Sequence, residues 1–151
     1  MQVIDDPTFA TFGQDGSRWE IEAHKGVGFT GRNEDDMMVF DVAEAQGANW
    51  HGEFRFAPFA VRESQRATIR FEAKSQIPIN FSVWIGKYRS PWSQLVTDAT
   101  HFRQKQMTQR WTTFQHTAII SADDDEARLN FVFGVSDNRI WLKGISLILE
   151  A

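Results

Sequence analysis

The chain has no cysteine. Disulfide staples and thiolate chemistry are excluded, and the redox compartment stays open. It has no basic excess, with 16 Lys and Arg against 20 Asp and Glu. A phosphate backbone needs a basic surface, so nucleic acid is excluded as the expected partner. No apolar run approaches the ~18 residues of a membrane span. The opening Met1-Gln2-Val3-Ile4-Asp5-Asp6 has neither a basic segment nor an apolar stretch of signal-peptide type. Two settings fit: a cytoplasmic protein, or a domain of a larger exported protein. The second is the expectation here.

Catalytic and metal signatures are scarce too. His24, His51, His101 and His116 show no zinc-ligand spacing. No G-x-S-x-G nucleophile elbow occurs. Residues 26–31, Gly-Val-Gly-Phe-Thr-Gly, match G-x-G-x-x-G, but a strand-like run follows where a dinucleotide site needs a helix. The segment reads as an inter-strand loop. Glu53 and Glu72 could in principle form a hydrolytic carboxylate pair, yet nothing in their placement suggests convergence. The chain is expected not to be an enzyme and to need no cofactor.

Period-two alternation is present throughout. Ala67, Ile69, Phe71 and Ala73 alternate with polar residues, as do Ile79, Phe81, Val83 and Ile85. Leu129, Phe131 and Phe133 repeat the pattern, and Ile140, Leu142, Ile145, Leu147 and Leu149 form a last strand. Earlier strands are expected over residues 19–23, 37–42 and 50–56, with turn signals between them. Residues 93–107 read as a loop, followed by a strand through 111–114. Asp123-Asp124-Asp125-Glu126 reads as a solvated turn. The pattern predicts a single all-β domain over 1–151, a β-sandwich jelly roll of two antiparallel sheets. The 13 phenylalanines, against one tyrosine, suit the space between two sheets.

The six tryptophans do not share one stripe. Trp19 and Trp111 are assigned to packing at the sandwich edge, and Trp141 is left unassigned. Asn80, Ser82 and Trp84 fall opposite the core register of their strand, as do Arg128 and Asn130. With Phe54 and Phe56 inward, His51, Glu53 and Arg55 point outward, and Trp50 opens that strand. Tyr88 and Trp92 lie on the next loop and could wall a groove. An indole offers an apolar platform for a sugar ring, and carboxylate, amide and guanidinium groups read its hydroxyls. The candidate ligand-binding residues are therefore Trp50, His51, Glu53, Arg55, Asn80, Trp84, Tyr88, Trp92, Arg128 and Asn130.

The order of these signals carries a resemblance. Pro7-Thr8-Phe9 precedes Trp19. Asn49-Trp50-His51-Gly52-Glu53, Ala67-Thr68-Ile69-Arg70-Phe71-Glu72-Ala73-Lys74 and Ile79-Asn80-Phe81-Ser82-Val83 follow. Thr108-Gln109-Arg110-Trp111-Thr112-Thr113-Phe114, Ala127-Arg128-Leu129-Asn130-Phe131-Val132-Phe133-Gly134 and Ile140-Trp141-Leu142-Lys143-Gly144-Ile145-Ser146-Leu147 close the chain. Together they resemble the β-jelly-roll carbohydrate-binding modules of families four, nine, sixteen and twenty-two, a galactose-binding-domain-like group. The resemblance implies a non-catalytic, extracellular module attached to a glycoside hydrolase of a secreted protein. It implies a β-linked polysaccharide ligand (xylan, β-glucan, cellulose or mannan) in a cleft on the concave sheet. The family's cleft tryptophan and acidic partner fall on Trp50 and Glu53, with Trp84, Tyr88 and Trp92 competing to face them. Lys143 stands where the family usually carries an Asp near a structural calcium, which puts that site in doubt although Asp5 and Asp6 remain available. The alternative is a jelly-roll spacer that packs on a catalytic domain and binds no sugar.

Overall fold

The computed structural model describes residues 1–134 and 136–151; the side chains of Asn49 and Gln104 also lie outside the described set. The strands are β1 (Trp19–Ala23), β2 (Gly28–Glu34), β3 (Met37–Ala43), β4 (Gly52–Val61), β5 (Arg66–Ser75), β6 (Ile79–Lys87), β7 (Phe102–Met107), β8 (Thr112–Ile119), β9 (Asp124–Val132) and β10 (Asn138–Glu150). They form two five-stranded antiparallel sheets, ordered β1-β4-β9-β6-β7 and β2-β3-β10-β5-β8. Among the described residues the only helical pieces are single 3-10 turns at Asn49–His51 and Asp98–Thr100. This is the expected β-sandwich jelly roll.

Phenylalanine joins the sheets. Phe40 meets Phe54 with ring centroids 4.8 Å apart, Phe71 meets Phe131 at 5.1 Å, and Phe81 meets Phe114 at 5.1 Å. Each pair takes one ring from each sheet. Such pairs add about 0.5–1.5 kcal/mol beyond area burial. Trp19 is buried as expected, stacked on Phe54 at 4.9 Å, and its Nε1–H donates to the Asp6 carbonyl at 2.9 Å.

Three segments differ from the sequence reading. Residues 28–34 are strand β2 rather than loop, because they pair in full register with the strongly apolar β3. An edge strand has one neighbour and needs only a weak apolar signature. The 93–107 segment holds a separate strand, β7, paired with β6. The acidic run does not stay a turn: Asp124, Asp125 and Glu126 begin β9.

Two glycines set the approach of β4 to the end of β9. A Cβ on Gly134 would lie 2.2 Å from the Gly52 nitrogen, and one on Gly52 would lie 2.8 Å from a ring carbon of Phe29. Neither position has room for a side chain.

Candidate functional site

Outward residues of the β1-β4-β9-β6-β7 sheet line up in cross-strand rows. Glu20 pairs with Arg55, Arg55 with Asn130, and Asn130 with Trp84. The next row is Glu22, Glu53, Val132 and Ser82. Arg128 sits opposite Gly86. Alternation places all of these on one face. That face is not open to water: Glu53, Arg55, Ser82 and Arg128 are at most 5% exposed and Asn130 is fully covered.

Aromatic walls cover this polar floor. Trp50, Trp84 and Trp92 with Glu22, His24, Glu53, Arg55 and Arg128 enclose a groove of about 340 Å³. Trp50 rises from the Asn49–His51 turn and packs against His51 at 4.3 Å and His24 at 5.4 Å. Trp92 comes from the loop after β6 and is 48% exposed. Its φ of 62° is a left-handed conformation that costs a bulky residue about 1–3 kcal/mol. The loop is pinned by hydrogen bonds of Lys87 N to Ser93 O and Leu95 N to Ile85 O, each 2.9 Å. Gly86 makes this approach possible, since a Cβ there would lie 3.0 Å from the Ser93 carbonyl. Trp84 is half-buried against His101, and its Nε1 has no hydrogen-bond partner among the described residues.

The floor is electrostatically organised. Glu53 accepts a hydrogen bond from Asn130 Nδ2 at 2.8 Å and pairs with His24 Nε2 at 2.9 Å. Arg55 pairs with Glu22, lies 3.7 Å from Glu53 and 3.9 Å from Glu20. Burial lowers the Arg55 pKa, and the nearby Arg128 charge adds to this while Glu20 opposes it. Burial also lowers that of Arg128, against the attraction of Glu53. The Tyr88 hydroxyl donates to Glu20, and burial first, then that bond, raises its pKa.

The structure brings together Trp50, Glu53, Arg55, Trp84, Trp92 and Arg128 at the groove. Asn130 lies beneath it and orients Glu53. The other expected residues stand elsewhere. His51 is not an outward strand residue: β4 begins at Gly52, and the His51 ring is buried behind Trp50. Asn80 shares the face but is exposed at the far end of β6, paired with Gln106. Tyr88 does not wall the groove; it braces Glu20 from the side. Glu22 and His24 were missed. Glu20, Glu22 and His24 alternate with Trp19, Ile21 and Ala23, so the reasoning used on β4 would have found the two glutamates on β1 and His24 just past its end.

Glu22, His24 and Glu53 present ligand atoms within 4.8 Å of one another, a spacing a divalent cation could use. Arg55 already contacts both carboxylates and supplies the positive charge there. The residues named for calcium fit that ion poorly. Asp6 accepts the Ala10 and Thr11 amides and the Thr11 hydroxyl, while Asp5 faces solvent beside Arg18. Lys143 lies over the Trp111 ring at 4.2 Å on the opposite sheet. Trp111 is therefore not an edge seal. It and Trp141 are half-buried on the outer face of that sheet, with Lys74 about midway between them, 5.0 and 4.9 Å from the two rings.

No family model and no curated protein matches the sequence. Solved structures do match the fold. A family 4 carbohydrate-binding module superposes with a TM-score of 0.83 at 21% identity, covering 98% of this chain and 100% of that one. The N-terminal cellulose-binding domain of Cellulomonas fimi β-1,4-glucanase C gives 0.66 at 17% identity, covering 88% and 89%. A xylan-binding family 22 module from Paenibacillus barcinonensis gives 0.56 at 12% identity, covering 87% and 85%. Over nearly its whole length, the chain has the β-sandwich jelly-roll fold of these carbohydrate-binding modules.

Proposed function

We propose that the groove binds a β-linked polysaccharide of the xylan, β-glucan, cellulose or mannan type, without chemistry. The observation that carries this reading is three indoles, Trp50, Trp84 and Trp92, set around a floor of buried Glu53, Arg55 and Arg128. Apolar sugar faces stack on indole, and rigid charged groups bond the ring hydroxyls. Cellulose and xylan binding by modules of the same fold supports the same ligand class. A spacer that packs on a neighbouring domain would not require charged side chains held on the floor of a groove.

Glu22 and Glu53 give the glycosidase reading its one point of support, but they are cross-strand neighbours on one side of the groove. A glycosidase sets its carboxylates on either side of the scissile bond. Their shared contact with Arg55 supports a binding role instead. The wider role we propose is that of an accessory module that holds an attached glycoside hydrolase on its substrate outside the cell.

Expected affinities lie between about micromolar and millimolar, roughly −8 to −4 kcal/mol. Calorimetry and retention on xylan, β-glucan, cellulose and mannan test this, with Trp50→Ala, Trp84→Ala and Trp92→Ala beside the wild type. Retention on none of these glycans, or on charged ones, sinks the proposal. Unchanged binding in all three variants moves the site away from the groove. Fusion to a hydrolase should raise its activity on insoluble but not soluble substrate; equal activity on both removes the accessory role.

A further inference from the structure

The charges of the groove are not evenly matched. Arg55 has three carboxylates around it: Glu20 at 3.9 Å, Glu53 at 3.7 Å, and Glu22 in direct contact. Arg128 has no carboxylate within 4.0 Å among the described residues, and its Nε has no hydrogen-bond partner. Yet Arg128 is only 5% exposed. Glu53 attracts it from farther off, but holding a guanidinium out of water with no anion in direct contact is costly. A planar carboxylate is the partner that its forked donors match best.

The neighbours of Arg128 favour a sugar as the carrier of that carboxylate. Its Cζ lies 5.2 Å from the centroid of the Trp92 ring, and this indole is half open to solvent at the groove rim. A ring stacked on Trp92 would hold its substituents beside the guanidinium. The glutamates occupy β1 and β4, whereas Arg128 is on β9 next to β6, so an acidic group entering at Trp92 meets the cation first.

We propose that the groove takes a β-linked glycan that carries uronic acid, with the uronate carboxylate received by Arg128 at the Trp92 end. This inference rests on the glycan reading above and narrows its ligand class. The test uses glucuronate-branched xylan fragments and β-1,4-mannuronate oligomers, each against the same oligomer after its carboxyls are reduced to primary alcohols. At least one acidic oligomer should bind about tenfold or more tighter than its reduced form. Arg128→Gln should remove that preference, bringing the acidic and reduced forms of the same oligomer to equal affinity. If every acidic oligomer binds no tighter than its reduced form, the inference fails while the glycan reading stands. If neither acidic nor neutral oligomers bind, both fail. A preference that survives Arg128→Gln overturns the assignment to Arg128. The wild-type comparison decides the ligand class even if that variant does not fold.

Discussion

Glu53 holds the polar floor together, and its replacement gives the sharpest test of that arrangement. Its carboxylate serves Asn130 at 2.8 Å, His24 at 2.9 Å and Arg55 at 3.7 Å, and it is only 5% exposed. Glu53→Ala leaves the Asn130 amide without its acceptor and removes one of the anions that offset two mutually repelling buried guanidiniums, Arg55 and Arg128. Breaking a buried charge pair from one side costs about 3–5 kcal/mol. For a chain of this length that is a fall of about 6–20 °C in Tm. Glu53→Gln keeps an acceptor for Asn130 and loses only the charge, so about 1–3 kcal/mol is expected. Urea unfolding should show a lower midpoint in both variants with an unchanged slope. The double variant Glu53→Ala with Arg55→Met removes one of the two mutually repelling guanidiniums and should recover part of the loss. If both single variants stay within about 0.5 kcal/mol of wild type, the range of neutral surface substitutions, the floor is not a coupled network.

Gly134→Ala forces a Cβ to 2.2 Å from the Gly52 backbone, so it should cost about 3 kcal/mol or more; a neutral result would show that the β4–β9 junction shifts freely. Trp92→Ala should leave Tm within about 2 °C, because the ring is half exposed, yet weaken glycan binding by about five- to thirtyfold in calorimetry. Asp41 accepts hydrogen bonds from Arg139 at 2.6 Å and Arg32 at 2.8 Å. Arg139 holds its pKa below the usual value, partial burial opposes this, and Arg32 adds to it. Because the folded value is the lower one, the contribution is full at neutral pH and is lost as the pH falls from about 3.9 through the folded value. Solvent keeps it below about 1 kcal/mol, and Asp41→Asn and wild type should converge in acid urea titrations. A gap of constant size down to pH 2 would contradict that linkage.

Alternation was enough to read most strands, because each has one wet and one dry face. It failed at β2, where glycines and charged residues at a sheet edge leave too little apolar signal. It also failed at β7, whose run of Arg, Gln, Lys and Gln between Phe102 and Met107 takes its strand form from pairing with β6. Glu53, Arg55, Trp84 and Arg128 were legible as off-core residues on strands. Their burial was not, since it depends on loops that fold over the sheet. His51 was misplaced because a 3-10 turn breaks the alternation just before Gly52. Trp50 and Trp92 sit on irregular backbone, where no periodicity fixes a direction, and only the fold brings them over the same floor. Trp111 looked like an edge residue and Trp141 had no assignment; the lysines that cover them come from β5 and β10.

The row Glu20–Arg55–Asn130–Trp84 joins residues that are far apart along the chain, and each step is a long-range strand pair. No hairpin or fragment holds more than a part of it. The groove therefore comes into being only when closure of the β1-β4-β9-β6 array is complete, and such non-local closure is the slow part of folding an all-β chain. A bound sugar would then act as a reporter of folding: its capture would lag behind collapse and track the last strand to dock. By mass action it would also protect the assembled sheet from opening, by about 2.7 kcal/mol at a hundredfold excess over Kd.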